Sequence, residues 1–220
     1  MSSDAVWDGA RRERIGLAEA VFCEGKTAGQ IAGICDEAAD GDHPILLTRL
    51  GKDAFDALPQ SLQAKLDFEE ISRTAVLGTL PAPTGAARIA VVTAGTSDKG
   101  VAREAVRTLS VYGEACTEIV DVGVAGLWRL LDRVEEIKRH PVVIMVAGMD
   151  GAIFSVLGGQ VPGAIIAVPT STGYGVSNNG ETALHSALAS CAPGVLATNI
   201  DNGYGAACAA LRILNAQSPE

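Results

Sequence analysis

The chain has 220 residues, of which 48% are hydrophobic, and a formal net charge of −9. This length suffices for one ordinary domain and a small second one, and the acidic balance argues against a nucleic-acid-binding surface. The sequence shows no signal peptide, since its first residues lack a basic start followed by an apolar core. Charged residues, prolines or glycines interrupt every apolar stretch before it reaches the length of a membrane span. We therefore expect a chain that binds neither nucleic acid nor membrane.

Five cysteines and three scattered histidines constrain the chemistry further. An odd number of cysteines without a C-x-x-C pair fits free thiols in a reducing compartment, so we expect a cytoplasmic protein without a disulfide framework. His43, His140 and His185 lack the spacing of metal ligands. The sequence leaves the use of a metal unknown.

Residues 1–80 are predicted to form a small α+β domain. Gly25-Lys-Thr27 is similar to the end of a phosphate-binding P-loop, but the earlier glycine and the preceding strand are missing. The simpler interpretation is that Thr27 caps the following helix. The expected elements are a helix within Val6–Phe22, a helix over 28–39, a strand at 45–49, a helix over 52–57 and a strand over 68–77.

A linker of residues 81–87 leads into a second predicted domain, residues 88–220. Prolines and glycines concentrate around the linker, and beyond it apolar strands alternate with helical stretches, as in parallel βαβ units. The strands are expected at 89–93, 116–120, 141–147, 163–168 and 194–200, and the helices at 99–112, 125–139, from 152, 181–190 and 203–216. The predicted fold class is α/β: a three-layer, flavodoxin-like parallel sheet preceded by the small α+β domain.

The third of these strands leads into the most informative turn. Val142–Ala147 is an uninterrupted apolar run, as expected for a strand that is buried on both faces. Asp150 lies in the small-residue turn just past the carboxyl end of this strand, where open α/β sheets bind ligands. Asp150 is therefore either a helix N-cap or a catalytic group, and its position alone favours the cap.

Four loops share this edge of the predicted sheet. Glycines let backbone N–H groups approach a ligand, and helix N-termini favour phosphate, so we expect a cleft for a nucleotide-like anion. Structural turns use glycine as well, so one loop alone would carry little weight. The four loops are 93–98, 148–151, 169–175 and 199–203.

Cys191 lies between a helix and the fifth strand, in Ala189-Ser-Cys-Ala-Pro193. A lone cysteine is more often a small buried hydrophobe than a nucleophile, and both interpretations stay open at this point. The other four cysteines lie within apolar helices or strands, where we expect them in the core: Cys23, Cys35, Cys116 and Cys208.

These pieces together resemble a known family. Thr93–Asp98 and the turn at 147–159 are similar to loops of the PurE-type aminoimidazole ribonucleotide carboxylases. A longer match, beginning in the N-terminal segment, is to LarB, the pyridinium-3,5-biscarboxylic acid mononucleotide synthases of nickel-pincer cofactor synthesis, and it includes Asp121–Gly126, Ser190–Gly194 and Asn199–Gly205. PurE proteins lack both the N-terminal domain and the Ser-Cys-Ala-Pro piece, so this set is specific.

The resemblance implies an enzyme that carboxylates C5 of the pyridinium ring of nicotinic acid adenine dinucleotide and cleaves the phosphoanhydride, releasing AMP. It places the nucleophile at Cys191 and the active-site acid at Asp150. In this chemistry a thiolate adds at C6, the enamine-like C5 attacks CO2, a base removes the C5 proton, and the thiolate leaves. The base would need to lie within about 3 Å of that proton and to have its pKa raised by burial. LarB sequences usually carry Glu at this position, so Asp150 is one methylene shorter.

The remaining loop residues are substrate-binding candidates by the same resemblance. Asp201 and Asn202 are as compatible with forming a turn as with binding the substrate. The basic candidates are as compatible with being ordinary surface charges as with pairing with the substrate. The candidates are Thr93, Gly95, Thr96, Ser97, Asp98, Gly148, Met149, Thr170, Ser171, Tyr174, Asp201 and Asn202 in the loops, and Arg11, Arg14, Lys26 and Arg49 in the N-terminal segment.

We expect no tightly bound cofactor. CO2 or bicarbonate would be the co-substrate, and Mg2+ is a candidate activator of phosphoanhydride cleavage. The expected partners are the dinucleotide substrate and further copies of the chain, as a dimer or octamer. Two alternatives stay open: an aminoimidazole ribonucleotide carboxylase or mutase of purine synthesis, which would not need Cys191, and a non-enzymatic dinucleotide-sensing module. A dehydrogenase is disfavoured because no G-x-G-x-x-G follows the first strand of the second domain.

Overall fold

The computed structural model describes residues 6–39, 41 and 43–217. The chain divides into two compact units. The N-terminal unit comprises Met1–Ala82 with Ser110–Gly113, and the α/β unit comprises Pro83–Leu109 with Glu114–Glu220. In the described part of the chain, no helix combines the length and apolar character that crossing a membrane requires.

The N-terminal unit is built on a four-stranded mixed sheet. Its strand order is β1-β2-β4-β3, with β1 parallel to β2 and the other neighbours antiparallel. The elements are α1 (Arg11–Ile15), β1 (Val21–Phe22), α2 (Ala28–Ala38), β2 (Ile45–Thr48), α3 (Lys52–Asp56), α4 (Gln60–Gln63), β3 (Leu66–Glu69) and β4 (Thr74–Leu77).

Helix α2 contributes one face to the core of this unit. The Thr27 hydroxyl accepts a hydrogen bond from the backbone N–H of Gln30, and the Gln30 side chain accepts one from the N–H of Thr27. This capping box confirms that Thr27 caps the helix. The buried residues of α2 follow helical spacing and pack against the sheet: Ile31, Ile34, Cys35 and Ala38.

Two predictions for this unit are wrong. Val6–Phe22 does not form one helix, because α1 ends at Gly16, which has a left-handed φ of 75°, and β1 then begins at Val21. The strand expected over 68–77 is instead the β3–β4 hairpin, whose turn includes Arg73 at a φ of 52°. Apolar spacing continued across both breaks, so it did not reveal them.

The α/β unit contains a five-stranded parallel sheet with the order β6-β5-β7-β8-β9. This is the flavodoxin-like order 2-1-3-4-5, and the predicted fold class is confirmed. Its elements are β5 (Ile89–Thr93), α5 (Lys99–Val111), β6 (Cys116–Ile119), α6 (Leu127–Leu131), α7 (Val134–Ile137), β7 (Val142–Ala147), α8 (Ile153–Gly158), β8 (Ala164–Pro169), α9 (Glu181–Leu188), β9 (Val195–Ala197) and α10 (Gly203–Gln217).

Strand β7 lies at the centre of this sheet, and all six of its residues are buried. Ile144 lies opposite Val91 on β5 and Ile166 on β8. Helix α10 contacts both β7 and β8. Helix α8 contacts β7, and helix α9 contacts β8. Because helices cover both faces, the strand has no polar alternation, as the sequence indicated.

Two predicted elements of this unit have different bounds. The helix expected over 125–139 is divided into α6 and α7 near Arg133, which has a φ of −109°. The last strand covers three residues and not seven, although the N–H of Thr198 still donates to the carbonyl of Ala167 at 2.9 Å. The break between α6 and α7 contains no proline or glycine, so local composition does not signal it, whereas Gly194, with a left-handed φ of 81°, precedes the first residue of β9.

Candidate active site

The order of the strands creates a crevice at one edge of the α/β unit. The chain leaves β5 towards β6 on one side and later returns as β7 on the other, so the loops after β5 and β7 diverge at a topological switch point. A cavity of about 350 Å3, here called the carboxyl-edge cavity, lies there. The predicted residues that line it are Gly95, Ser97, Asp98, Gly148, Met149 and Asp150.

Asp98 is the buried carboxyl group of this cavity. Its side chain accepts hydrogen bonds from the Thr170 hydroxyl at 2.7 Å and from the N–H of Gly95 at 2.9 Å. Only 3% of the residue is exposed, and this burial raises the pKa of Asp98 although the hydrogen bonds act in the opposite direction. Asp98 therefore connects the β5 loop to the end of β8.

Asp150 is exposed at the rim of the cavity, so within one chain it lacks the burial that we expect of a base there. Its carboxylate accepts a hydrogen bond from the N–H of Ala152 at 3.2 Å, and Ala152, not Asp150, is the N-cap of α8. The carboxylate thus closes a short turn ahead of the helix. It stays accessible to a ligand in the cavity.

The turn that carries Asp150 is packed against the β8 loop. The N–H of Met149, which has a left-handed φ of 55°, donates to the carbonyl of Thr172 at 2.9 Å. A Cβ added at Gly148 would lie 2.2 Å from that same carbonyl oxygen. Glycine is required at Gly148 because the two loops approach more closely than any side chain permits.

The loop after β6 supplies a part of the site that the sequence analysis missed. Asp121 and Arg129 form an ion pair, and both line the cavity. The N–H of Asp121 donates to the hydroxyl of Thr93, a buried residue at the end of β5, at 3.1 Å. Asp121 has a left-handed φ of 65°. The signal available in the sequence was a polar residue directly after a strand of the parallel sheet, which is the pattern that drew attention to Asp150.

The hydroxyl-rich loop after β8 and the turn after β9 are tied to each other. The carboxylate of Asp201 accepts from the N–H of Ser171 at 2.8 Å, and the N–H of Asp201 donates to the carbonyl of Pro169 at 2.8 Å. Asn202 accepts from the N–H of Gly205 at 2.8 Å. These contacts agree with the turn-forming interpretation of Asp201 and Asn202.

Four further loop candidates, Thr93, Thr96, Thr170 and Tyr174, lie outside the lining of the cavity. Thr93 and Thr170 are buried and act through hydrogen bonds to Asp121 and Asp98. Thr96 is exposed, and Tyr174 is 80% exposed. Tyr174 does not close over the cavity in this conformation.

Cys191 does not share the cavity with Asp150. It precedes β9, whose first residue Val195 pairs with Ile165 near the start of β8, so it lies towards the amino edge of the sheet. Its neighbour Ser190 contacts Ser155 on α8 at 2.9 Å. Asp150 precedes the first turn of this helix, whose six residues span about 9 Å. Within one chain, the two predicted catalytic residues are apart.

The five thiols differ in environment. Cys191 is exposed, whereas Cys23 and Cys35 are buried and Cys116 and Cys208 are half-buried. Burial raises the pKa of Cys23 to about 12 and those of Cys35 and Cys116 to about 11. Burial also raises the pKa of Cys208. The thiolate form is suppressed at these four positions.

The basic candidates of the N-terminal unit divide into two groups. Arg11 contacts Asp8 at 3.1 Å and Glu19 at 3.4 Å, and Arg14 contacts Asp8 at 2.6 Å. Lys26 and Arg49 instead line a cavity of their own unit. Among residues 6–39, 41 and 43–217, no group of three or more His, Cys, Asp or Glu side chains could hold a metal ion.

Comparisons with known proteins agree with this architecture. Residues 2–79 match the model of the LarB/PurE-like N-terminal domain, and residues 88–220 match that of AIR carboxylase. An uncharacterized protein of Methanocaldococcus jannaschii is 44% identical over 121 residues, which are 54% of this chain and 46% of that protein. The chain thus aligns with less than half the length of this relative.

A crystal structure of a Treponema denticola PurE2 variant is similar to 59% of this chain and to 80% of its own chain, with a TM-score of 0.47 and 23% identity. The AIR carboxylase match covers more than half of the chain, including every loop of the carboxyl-edge cavity. The LarB/PurE-like match covers most of the N-terminal unit. The chain therefore belongs to the AIR carboxylase family and joins that domain to a LarB/PurE-like N-terminal domain.

Proposed function

We propose that this protein carboxylates the pyridinium ring of nicotinic acid adenine dinucleotide at C5 and then cleaves its phosphoanhydride, giving a biscarboxylated mononucleotide and AMP. Membership of the AIR carboxylase family supports a carboxylase- or mutase-type enzyme. The single observation that carries the narrower proposal is the exposed thiol of Cys191, on a chain that also has a LarB/PurE-like N-terminal domain. A carboxylation of aminoimidazole ribonucleotide has no use for such a thiol.

The thiol has a defined part in the proposed reaction. Its thiolate adds to C6 of the electron-poor ring, which converts C5 into an enamine carbon that attacks CO2. A base removes the C5 proton, and the electron pair of that C–H bond restores the ring as the sulfur leaves. The exposure of Cys191 permits this role, whereas the raised pKa values of the four other thiols oppose it.

The carboxyl-edge cavity would hold the ring and the rest of the dinucleotide. Asp150, exposed at the rim, is the proposed base for the C5 proton. Asp98 is held by Thr170 and Gly95, so we assign it the positioning of the loops rather than proton transfer. Arg129 is the cation among the lining residues of this cavity and is the proposed partner of a substrate carboxylate or phosphate.

The separation of Cys191 from Asp150 within one chain requires a second copy. We propose that a homo-oligomer brings Cys191 of one copy to the carboxyl-edge cavity of another. A symmetric assembly repeats such a shared site at each equivalent interface. The exposure of Cys191 at the amino edge of the sheet agrees with this arrangement.

The first test is mass spectrometry of the products formed from nicotinic acid adenine dinucleotide and 13C-bicarbonate. We expect a labelled biscarboxylated mononucleotide and AMP with the unchanged protein and neither with Cys191→Ala. Cys208→Ala is the matched control, because this thiol is half-buried on α10, and it should retain activity. Unchanged dinucleotide with the native protein would overturn the proposal and leave both alternatives, an aminoimidazole ribonucleotide enzyme and a sensing module.

A mixing experiment tests the shared site. Cys191→Ala and Asp150→Asn should each be inactive alone. After the two are unfolded and refolded together in equal amounts, about a quarter of the sites should contain both intact residues, since each contribution is intact with a chance of about one half. Activity that stays at the level of the separate variants would contradict a site shared between copies.

The second candidate is an aminoimidazole ribonucleotide carboxylase or mutase. The match of residues 88–220 to the AIR carboxylase model favours it. It requires CO2-dependent or mutase turnover of aminoimidazole ribonucleotides, with full activity retained by Cys191→Ser. Assays of the native protein and its Cys191 variants with each substrate therefore decide between the two candidate functions.

A further inference from the structure

The N-terminal unit has a basic cavity of its own, with a volume of about 350 Å3. It lies where the segment after β1, the start of α3 and the turn before β4 meet. Four cationic side chains line it: Lys26, Arg49, Lys52 and Arg73. Two carboxylates, Glu24 and Asp53, also line it.

This concentration of positive charge opposes the composition of the unit. Residues 1–82 contain eight Lys and Arg against fourteen Asp and Glu, so half of the cations but only two of the fourteen acids line one cavity. Lys52 also pairs with Asp56, which is not among the lining residues. Like charges placed together raise the free energy of a folded chain unless anions compensate them. The arrangement is therefore typical of an anion-binding site.

The backbone holds two of these cations in unusual conformations. Arg49 and Arg73 have left-handed φ values of 56° and 52°, and Leu50 between β2 and α3 donates its N–H to the carbonyl of Arg73 at 2.7 Å. A Cβ placed on Gly51 would lie 4.0 Å from the guanidinium of Arg73, so that group lies over the glycine. Such strained non-glycine residues concentrate at functional sites.

Lys26 is positioned by contacts of its own. Its ammonium donates to the carbonyl of Phe22 at 2.7 Å and lies 5.8 Å from the centre of the Phe22 ring. The hydroxyl of the next residue, Thr27, is engaged in capping α2. The strand β1 precedes Gly25-Lys-Thr27, so the prediction that this strand is missing is wrong. The earlier glycine of a P-loop is nevertheless missing, and Lys26 lines the basic cavity.

We propose that the basic cavity binds the phosphate group of a small phosphorylated molecule. Guanidinium groups pair with phosphate through two parallel hydrogen bonds, and ammonium groups add point charges. The volume is at the lower end of small-molecule sites, which begins at about 300 Å3, so the ligand has the size of a sugar phosphate. None of its lining residues lines the carboxyl-edge cavity, and the proposal does not depend on the reaction proposed there.

Calorimetric titration of the full chain with ribose 5-phosphate, inorganic phosphate and ribose tests the proposal. We expect saturable binding of ribose 5-phosphate, no binding of ribose, and affinity that falls as salt rises. Equal affinity for inorganic phosphate would identify free phosphate as the ligand, whereas weaker affinity would identify a phosphate ester. Both results support a phosphate site.

Variants locate the binding. Lys26→Gln and Arg73→Gln should each weaken the affinity at least tenfold, whereas Lys65→Gln, which removes an exposed charge elsewhere in the same unit, should change it less than twofold. Circular dichroism checks that each variant is folded. The proposal is overturned if no phosphate compound binds, if Lys65→Gln weakens binding as much as Arg73→Gln, or if Arg129→Gln alone abolishes it.

Discussion

Replacing Gly148 by alanine tests how tightly the loops of the carboxyl-edge cavity are packed. The new Cβ would lie 2.2 Å from the carbonyl oxygen of Thr172 and 2.7 Å from the hydroxyl of Thr170. An ordinary contact is longer by about 1 Å, since carbon atoms meet at about 3.5–4.0 Å. The nearest of these atoms, the carbonyl oxygen of Thr172, belongs to the backbone, so the β8 loop has to shift.

The cost can be worked out from the contacts that such a shift disturbs. Overpacking a close site costs about 1–3 kcal/mol. Movement of Thr172 also lengthens its 2.9 Å hydrogen bond from Met149, whose loss adds about 1 kcal/mol. The free energy of unfolding should therefore fall by about 2–4 kcal/mol, which lowers Tm by roughly 5–15 °C.

Differential scanning calorimetry of the full chain measures this change. Gly159→Ala is the matched control, since Gly159 ends α8 with a φ of −84° and its added Cβ would lie 3.7 Å from the nearest carbonyl oxygens. The control should keep its Tm within roughly 3 °C. A Gly148→Ala variant as stable as Gly159→Ala would refute the reasoning.

Two other predictions concern the two units separately. Because burial raises the folded-state pKa of Asp98, its stabilising contribution is fully present below its ordinary value of 3.8 and is lost as pH rises through the folded pKa. In denaturant unfolding from pH 4 to 7, Asp98→Asn should therefore gain stability relative to the native chain as pH rises; a constant difference would contradict this. In α2 an added Cβ on Gly33 meets nothing within 4 Å, so Gly33→Ala should raise the unfolding free energy by up to about 1 kcal/mol, and a lower midpoint in urea would contradict the packing described.

The sequence predicted the parallel sheet well because its strands are continuous apolar runs. β7 illustrates this: every residue from Val142 to Ala147 is buried, and a run of six apolar residues between Pro141 and Gly148 is too short for a typical helix and suits a strand. The hairpin of β3 and β4 was missed because the turn at Arg73 contains none of the residues that favour left-handed φ. Local composition cannot reveal strain that the surrounding fold imposes.

The site was predicted in part. The loops were located correctly at the carboxyl edge, because parallel strands place their ends together. Which carboxyl group is buried depends on tertiary contacts: Asp98 is covered by Thr170, a residue 72 positions away in sequence, whereas Asp150 is not covered. Asp121 follows a strand of the parallel sheet and could have been found by the pattern that drew attention to Asp150, whereas its ion pair with Arg129, eight residues away across a loop, has no sequence signature.

The unequal environments of the five cysteines have a practical consequence. Maleimide reagents react with thiolates, and the thiols with raised pKa values are shielded by the fold. Cys191 should accept a fluorophore or spin label first in the native chain, without removal of the other four cysteines. A label there reports on the amino edge of the α/β sheet, and distances between labels on separate copies would measure the geometry of an assembly directly.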